Sequence, residues 1–344
     1  MNTQWQSFIV AHGGTVEADA KVHFPEMPAE SDCALCALGE LGVIEVKGAD
    51  AADFLQGQLS NDLRELSDTH AQRSCHCNAK GRVLADSLVL RAGESYHLIL
   101  PREQIATLLP RLKMFVLRAQ VAVRDLSDEI ICLGLIGECT GAVLADHFGS
   151  LPEGDNDLAI QGDACLIRAA GPLPRWLYVG PPATAERLWQ QAREAGAQLT
   201  GGDLWALHHI RAGIPSIGAN TRELFVPQMT NMHLIDGLSF HKGCYTGQEV
   251  VARMQYLGKL KRRMYFSEVA LDQLPVPGTQ LDSAGSQSAQ GAGSVVDARR
   301  NAAGRCELLA VAEIAAVERD DLTLADTGSA LSLRPPPYGL PREV

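Results

Sequence analysis

The chain has 344 residues, 46% of them hydrophobic, with 30 Lys plus Arg against 41 Asp plus Glu for a formal charge of −11. That apolar content excludes a disordered chain and a disulfide-stapled miniprotein, and the length suggests two or three domains. The acidic balance excludes diffuse polyanion binding, so no direct nucleic-acid contact is expected.

Residues 1–30 are polar, hold Gly13-Gly14, and read as an irregular lead-in with one short helix. Alternation predicts a strand over 42–46, and Ala51, Phe54 and Leu55 at i, i+3, i+4 predict a helix over 50–58. A hairpin is predicted for 83–90 and 96–100 around Gly93, then an amphipathic helix over 102–112 and a strand over 120–126. That order is the split βαβ pattern. The theme recurs with strands at 129–136, 164–169 and 176–179 and helices at 141–147 and 183–195, although the two stretches show no visible sequence repeat. A helix over 203–212 ends at Gly213 and Pro215.

After Arg262-Arg263 the texture changes. A strand over 264–269, a Ser/Gly-rich tract over 282–293 read as a flexible loop, and short strands at 295–296, 308–314 and 331–333 predict a small β-barrel or sandwich. The proline-rich tail Arg334 to Tyr338 reads as extended and superficial. The fold class expected is therefore α+β: two ferredoxin-like (split βαβ) domains over 1–125 and 126–258, and a small C-terminal β domain, barrel or sandwich, over 259–344, which the resemblance described below makes a β-barrel.

Nine cysteines in a chain too long to need staples, and a start (Met1 to Val10) without a secretory leader's pattern, point to a reducing cytoplasm. The longest clean apolar run, Ile130 to Ile136, is too short for a membrane span. Cys33 and Cys36 form a CxxC and Cys75 and Cys77 a CxC, but no second pair or His-x-x-x-His completes a tetrahedral set, so both read as core residues and no metal site is expected.

The chemistry is concentrated in Phe240-His-Lys-Gly-Cys-Tyr-Thr-Gly-Gln-Glu-Val-Val-Ala-Arg253. Thr246 and Glu249 match a capping box, which would put Cys244 two residues upstream of a helix N-terminus with Lys242 beside it, a setting that favours a thiolate. Gly243 and Gly247 would let a ligand approach the backbone. Arg253 either faces a ligand or pairs with Glu249 at i, i+4. Arg211, near the helix end, either serves a ligand or complements the terminal carbonyls. No Walker loop, nucleotide fingerprint or zincin motif is present.

Lys242-Gly-Cys-Tyr-Thr-Gly-Gln-Glu249, with Arg211-Ala-Gly-Ile-Pro215, Phe225-Val-Pro-Gln228 and Lys261-Arg-Arg263, resembles the YgfZ family of folate-binding proteins, relatives of the glycine-cleavage T-protein (aminomethyltransferase). Phe54-Leu-Gln-Gly-Gln-Leu-Ser-Asn-Asp62 and Lys80-Gly-Arg-Val-Leu-Ala-Asp86 extend the resemblance over nearly the whole chain. The resemblance implies three domains around a central opening that binds tetrahydrofolate, with the first two α+β units exchanging segments. It implies a role in assembly or repair of iron–sulfur enzymes, including those that thiolate tRNA, which would be client proteins. Cys244 and Lys242 would be the working residues, and Arg211, Gly243, Tyr245, Gln248, Glu249, Arg253 and Asp86 would surround the folate. The T-protein's paired aspartates correspond to Ala85-Asp86, and its pterin-contacting Glu to Arg211, which argues against glycine cleavage. The alternatives are a folate-dependent aminomethyl or other one-carbon transferase, and a folate-independent thiol redox protein.

Overall fold

In a computed structural model, residues 1–25, 31–256, 258–288 and 291–341 are described. The chain divides into two compact units, neither of them continuous in sequence: residues 1–58, 62–73 and 87–205 form the first, and 59–61, 74–86 and 206–344 the second.

The first unit holds a six-stranded mixed sheet in the order 158–161, 164–168, 175–180, 131–136, 34–37, 198–200. The strand Ala34–Ala37, which the sequence patterns did not reveal, runs antiparallel to Ile131–Ile136 and parallel to Gln198–Thr200. A cut near residue 125 therefore separates strands that share a sheet. Ala34–Ala37 is buried along its whole length, so its residues show no alternation to read. Elsewhere in this unit, Leu88–Ala92 pairs with Ser95–Ile99, whose strand pairs with Leu41–Lys47, which pairs in turn with Ala122–Asp125.

Helix packing follows the periodicity. In Pro182–Glu194, Ala185, Leu188, Trp189 and Ala192 fall at i, i+3, i+4, i+7 and are buried, with proline at the first turn where no N–H is missed. The lead-in is more ordered than its composition suggests. Helix Thr3–Ala11 is capped by the Asn2 side chain, which accepts from the Trp5 N–H, and Trp5 meets Trp189 edge-to-face at 5.6 Å. Residues 26–30 of the lead-in lie outside the described residues.

The cysteine reading needs one correction in this unit. Cys33, read as a core residue, is half-buried and joined to Cys139, 106 residues away, in a disulfide. Spacing could not show it, because the contact is made by the pairing of Ala34 opposite Ile136.

The second unit contains a six-stranded sheet in the order 262–269, 306–313, 293–300, 280–283, 322–324, 330–331. Phe266 and Arg334 exchange backbone hydrogen bonds of 2.9 and 2.8 Å, which brings the chain beyond the last strand back to the first and nearly closes a barrel. Its interior is aliphatic, with Leu281, Val295, Leu308, Ala310 and Ala312 wholly buried. Two expectations change here. The tract taken as a loop starts inside a strand, Gln280–Ser283, while residues 289–290 of it lie outside the described residues. The tail is not superficial: Pro336 is buried, and the Tyr338 hydroxyl donates to the Gly213 carbonyl at 2.9 Å. Among the described residues no helix is long and apolar enough to cross a membrane.

Candidate functional site

Four stretches distant in sequence converge within the second unit. Leu59-Ser60-Asn61 forms a strap against 236–242: the Asn61 amide donates to the Asp236 carbonyl at 2.8 Å, the Ser60 hydroxyl to the Gly237 carbonyl at 2.9 Å, and the Ser239 N–H to the Ser60 carbonyl at 3.1 Å. Gly81 and Gly247 face each other. A Cβ on Gly247 would lie 2.4 Å from the Asn78 carbonyl and 2.9 Å from the Gly81 Cα, and Gly247 has φ +85°, so glycine is required here twice over. The Gln228 amide donates to the Val251 carbonyl at 2.7 Å, tying the Phe225-Val-Pro-Gln228 stretch to the helix Gln248–Tyr256. The Val83 N–H donates to the Phe225 carbonyl at 2.8 Å, and the Asp86 carboxylate accepts the Ile217 N–H at 2.8 Å.

On this frame some of the predicted residues are buried and hold the frame itself, and others are exposed. Lys242 was read as a cation beside the thiol, but it is buried, and its ammonium donates to the carbonyls of Leu59 (2.5 Å) and Asn61 (2.8 Å) and sits 5.1 Å from the centre of the Tyr245 ring. It is turned inward, onto two carbonyl oxygens of the strap. Arg211, expected at a carboxylate-bearing ligand, instead forms a two-pronged ion pair with Glu307, at 2.8 and 2.7 Å. Asp86 is buried and serves a backbone N–H.

The capping box is not formed. The helix begins at Gln248, and Gly247, not Thr246, precedes it; the Gly247 carbonyl accepts from the Val251 N–H at 3.3 Å. The left-handed turn that Gly247 must make against Gly81 moves the helix start downstream, leaving Cys244 four residues before the first helical residue. Glu249 and Arg253 are both exposed and make no ion pair with each other. Arg253 is thus a cation available at the surface of this segment. The Gln248 side chain donates to the Lys242 carbonyl at 3.4 Å, a weak brace across the turn.

Cys244 is exposed, whereas the other six free cysteines, Cys36, Cys75, Cys77, Cys132, Cys165 and Cys306, are buried. Burial pushes Cys77, Cys132 and Cys165 up to about 12 and Cys306 to about 11, so these thiols stay protonated and unreactive at neutral pH. Gly243 beside Cys244 is exposed, and a Cβ there would meet nothing within 4 Å, so the backbone at the thiol borders open space.

Buried polar atoms without a protein partner include the hydroxyl of Tyr245, which the sequence had singled out, and Gln228 Oε1, Asn231 Oδ1 and His233 Nδ1, which sequence reasoning did not assign to the site. Native interiors leave few such atoms, which makes them candidates for water or ligand groups. The signal was present in Gln228 to His233, where four polar residues and two methionines share a stretch that a plain core segment would fill with aliphatic residues. Tyr245 is held protonated by burial, with Cys77 and Cys75 adding to the upward shift. Burial and the neighbouring Arg263 lower His233 to about 4, so it is neutral above that pH. Since an unfolded His titrates near 6.5, the unfolded state binds more protons between pH 6.5 and 4, and stability falls as pH drops through that window. For a half-buried ring the loss is on the order of 1–2 kcal/mol. His233→Gln is expected to flatten the urea midpoint between pH 6.5 and 4; an unchanged pH profile would remove His233 from this account.

The family model described as GCVT N-terminal domain matches residues 26–156. The tRNA-modifying protein YgfZ of Yersinia enterocolitica is 31% identical over 307 residues, which cover 89% of this chain and 92% of that protein. The protein of the same name from Serratia proteamaculans is 31% identical over 334 residues, covering 94% and 99%. The crystal structure of the glycine cleavage system aminomethyltransferase T from Bartonella henselae superposes with a TM-score of 0.73 at 16% identity, covering 96% of both chains, and so shares the fold. Identity at this level along nearly the full length of such relatives shows that the chain belongs to the YgfZ family.

Proposed function

We propose that this protein binds a tetrahydrofolate, or a one-carbon derivative of it, in the unit carrying Lys242 to Glu249, and that it serves the assembly or repair of iron–sulfur enzymes, including those that thiolate tRNA. Membership of a family whose members are named tRNA-modifying proteins supports the direction. The observation that carries the reading is Cys244, the exposed thiol of seven free cysteines, on a glycine-flanked turn held by the Lys242 anchor and the Ser60–Asn61 strap.

Unpartnered polar atoms of this unit support a pterin as the bound group. Gln228 Oε1 and Asn231 Oδ1 are unpartnered acceptors for its amino and ring N–H groups, and the Tyr245 hydroxyl and His233 Nδ1 add polar positions in the same unit. Arg253 would meet the carboxylates of the glutamate tail. When bound, the folate would supply one-carbon chemistry. The chain's own part is to hold Tyr245 protonated, keep His233 neutral and present the Cys244 sulfur to solvent as nucleophile, redox thiol or transient cluster ligand. Its clients would be iron–sulfur enzymes, and its setting the cytoplasm.

Titration with tetrahydrofolate separates cofactor binding from thiol chemistry. Cys244→Ala is expected to bind folate within about threefold of wild type, since a lone exposed contact carries little binding energy, yet to fail to restore iron–sulfur enzyme activity in a deletion strain. Absence of folate binding by wild type, or full rescue by Cys244→Ala, would sink the reading. The transferase reading is less supported: Asp86, the remaining carboxylate at the position of interest, is buried and accepts a backbone hydrogen bond. Turnover of methylene-tetrahydrofolate that Asp86→Asn abolishes would favour it. A Cys244 alkylation rate that folate leaves unchanged, in a protein that does not bind folate, would favour the folate-independent thiol protein.

A further inference from the structure

The Cys33–Cys139 bond lies in a chain whose other seven cysteines are free, and both of its residues are half-buried and not sealed in the core. Two features of the backbone hold the pair together without the bond. Ala34 stands opposite Ile136 at the end of the antiparallel pairing, and at Gly137, φ +92°, a Cβ would be 1.7 Å from the Asp32 carbonyl, so the two chain segments run against each other just where the cysteines follow. The Gln198 N–H fixes Cys33 from the other side by donating to its carbonyl at 3.0 Å. Cys139 lies in the first turn of the 11-residue helix Glu138–Phe148, half-buried, directly after the close approach of Gly137 to Asp32. A dithiol kept in register by its backbone closes intramolecularly faster than a second external thiol can intervene.

We propose that Cys33 and Cys139 form a reversible redox site that exchanges with the glutathione couple. The Cys139 thiolate attacks one sulfur of glutathione disulfide and expels one glutathione thiolate. The Cys33 thiolate then attacks the Cys139 sulfur of the mixed disulfide, forms the Cys33–Cys139 bond and releases the second glutathione. The protein thiols give up two protons and two electrons, and glutathione disulfide takes up the electrons; reduced glutathione reverses both steps. The oxidised form clasps the start of strand Ala34–Ala37 to the helix Glu138–Phe148.

The test equilibrates the full chain in buffers spanning ratios of reduced to oxidised glutathione, quenches with acid, alkylates the remaining thiols and maps peptides by mass. The Cys33 and Cys139 peptides are expected to lose alkylation together as the buffer becomes oxidising and to regain it together as it becomes reducing. Cys244 is followed on its own peptide. The oxidised form is expected to melt roughly 4–8 °C above the reduced one, the shift a long closed loop provides. In Cys33→Ser, Cys139 should accumulate one glutathione that is not resolved. Failure of the two peptides to respond together, or a bond that persists in excess reduced glutathione, would overturn the proposal. The wild-type titration decides this even where the serine variant folds poorly.

Discussion

Lys242→Met is expected to lower the stability of the second unit by about 3 kcal/mol, because two buried carbonyl oxygens lose their donor and each unsatisfied acceptor costs about 1–3 kcal/mol. The effect should reach the thiol. With Leu59 and Asn61 released, the turn carrying Gly243 and Cys244 loses its anchor, and Cys244 should be alkylated several-fold more uniformly with and without folate than in wild type. Lys242→Arg keeps the charge but puts a planar fork where a compact ammonium bridges two carbonyls, so it should recover only part of the stability. Urea unfolding followed alongside Cys244 alkylation checks both effects. If stability were unchanged in Lys242→Met while iron–sulfur rescue was lost, the ammonium would belong at the reacting atoms and not beneath them.

The second large effect concerns Arg211 and Glu307. Glu307 is buried, accepts two hydrogen bonds from the Arg211 guanidinium and a third, at 2.9 Å, from the Asn301 amide. Arg211→Ala strands that carboxylate, and removing one partner of such a buried pair costs about 3–5 kcal/mol. The double change Arg211→Met with Glu307→Leu should regain most of the loss, since two apolar side chains fill the space without an unpaired charge. Thermal melts of the single and double variants measure the coupling. A single variant that melts within about 1 °C of wild type would show that the pair does not hold the helix end to the barrel strand.

What could be read from the sequence followed physical periodicity. The hairpin around Gly93, the helix over 182–194 and four of the six strands of the C-terminal sheet announce themselves by alternation or by i, i+3, i+4 spacing, and the structure places them within a few residues of expectation; Gln280–Ser283 and Leu322–Leu324 are too short to do so. Strands buried on all sides, such as Ala34–Ala37, carry no such rhythm. The site was legible as a motif but not as a geometry. Eight residues pointed to Cys244 and Lys242, yet nothing in them could say that the Lys242 partners are backbone carbonyls 183 and 181 residues away, or that Gly247 is fixed by Gly81. The capping-box reading failed for the same reason: it weighed Thr246 and Glu249 locally, and a long-range close approach set the helix start. The Cys33–Cys139 bond lay beyond sequence reasoning altogether, since any of nine thiols could have been paired.

The strap of Leu59, Ser60 and Asn61 also has a consequence for synthesis on the ribosome. These residues are made about 180 residues before the lysine that binds them. The Ala34–Ala37 strand likewise waits for Ile131–Ile136 and then for Gln198–Thr200 before its edges are paired. The first unit therefore cannot complete its sheet until residue 200 has been made, and the strap of the second unit stays without its anchor until residue 242. Such high contact order predicts slow folding and a long interval in which apolar strands stand unpaired, so the nascent chain should depend on holding chaperones until residues near 240 have emerged.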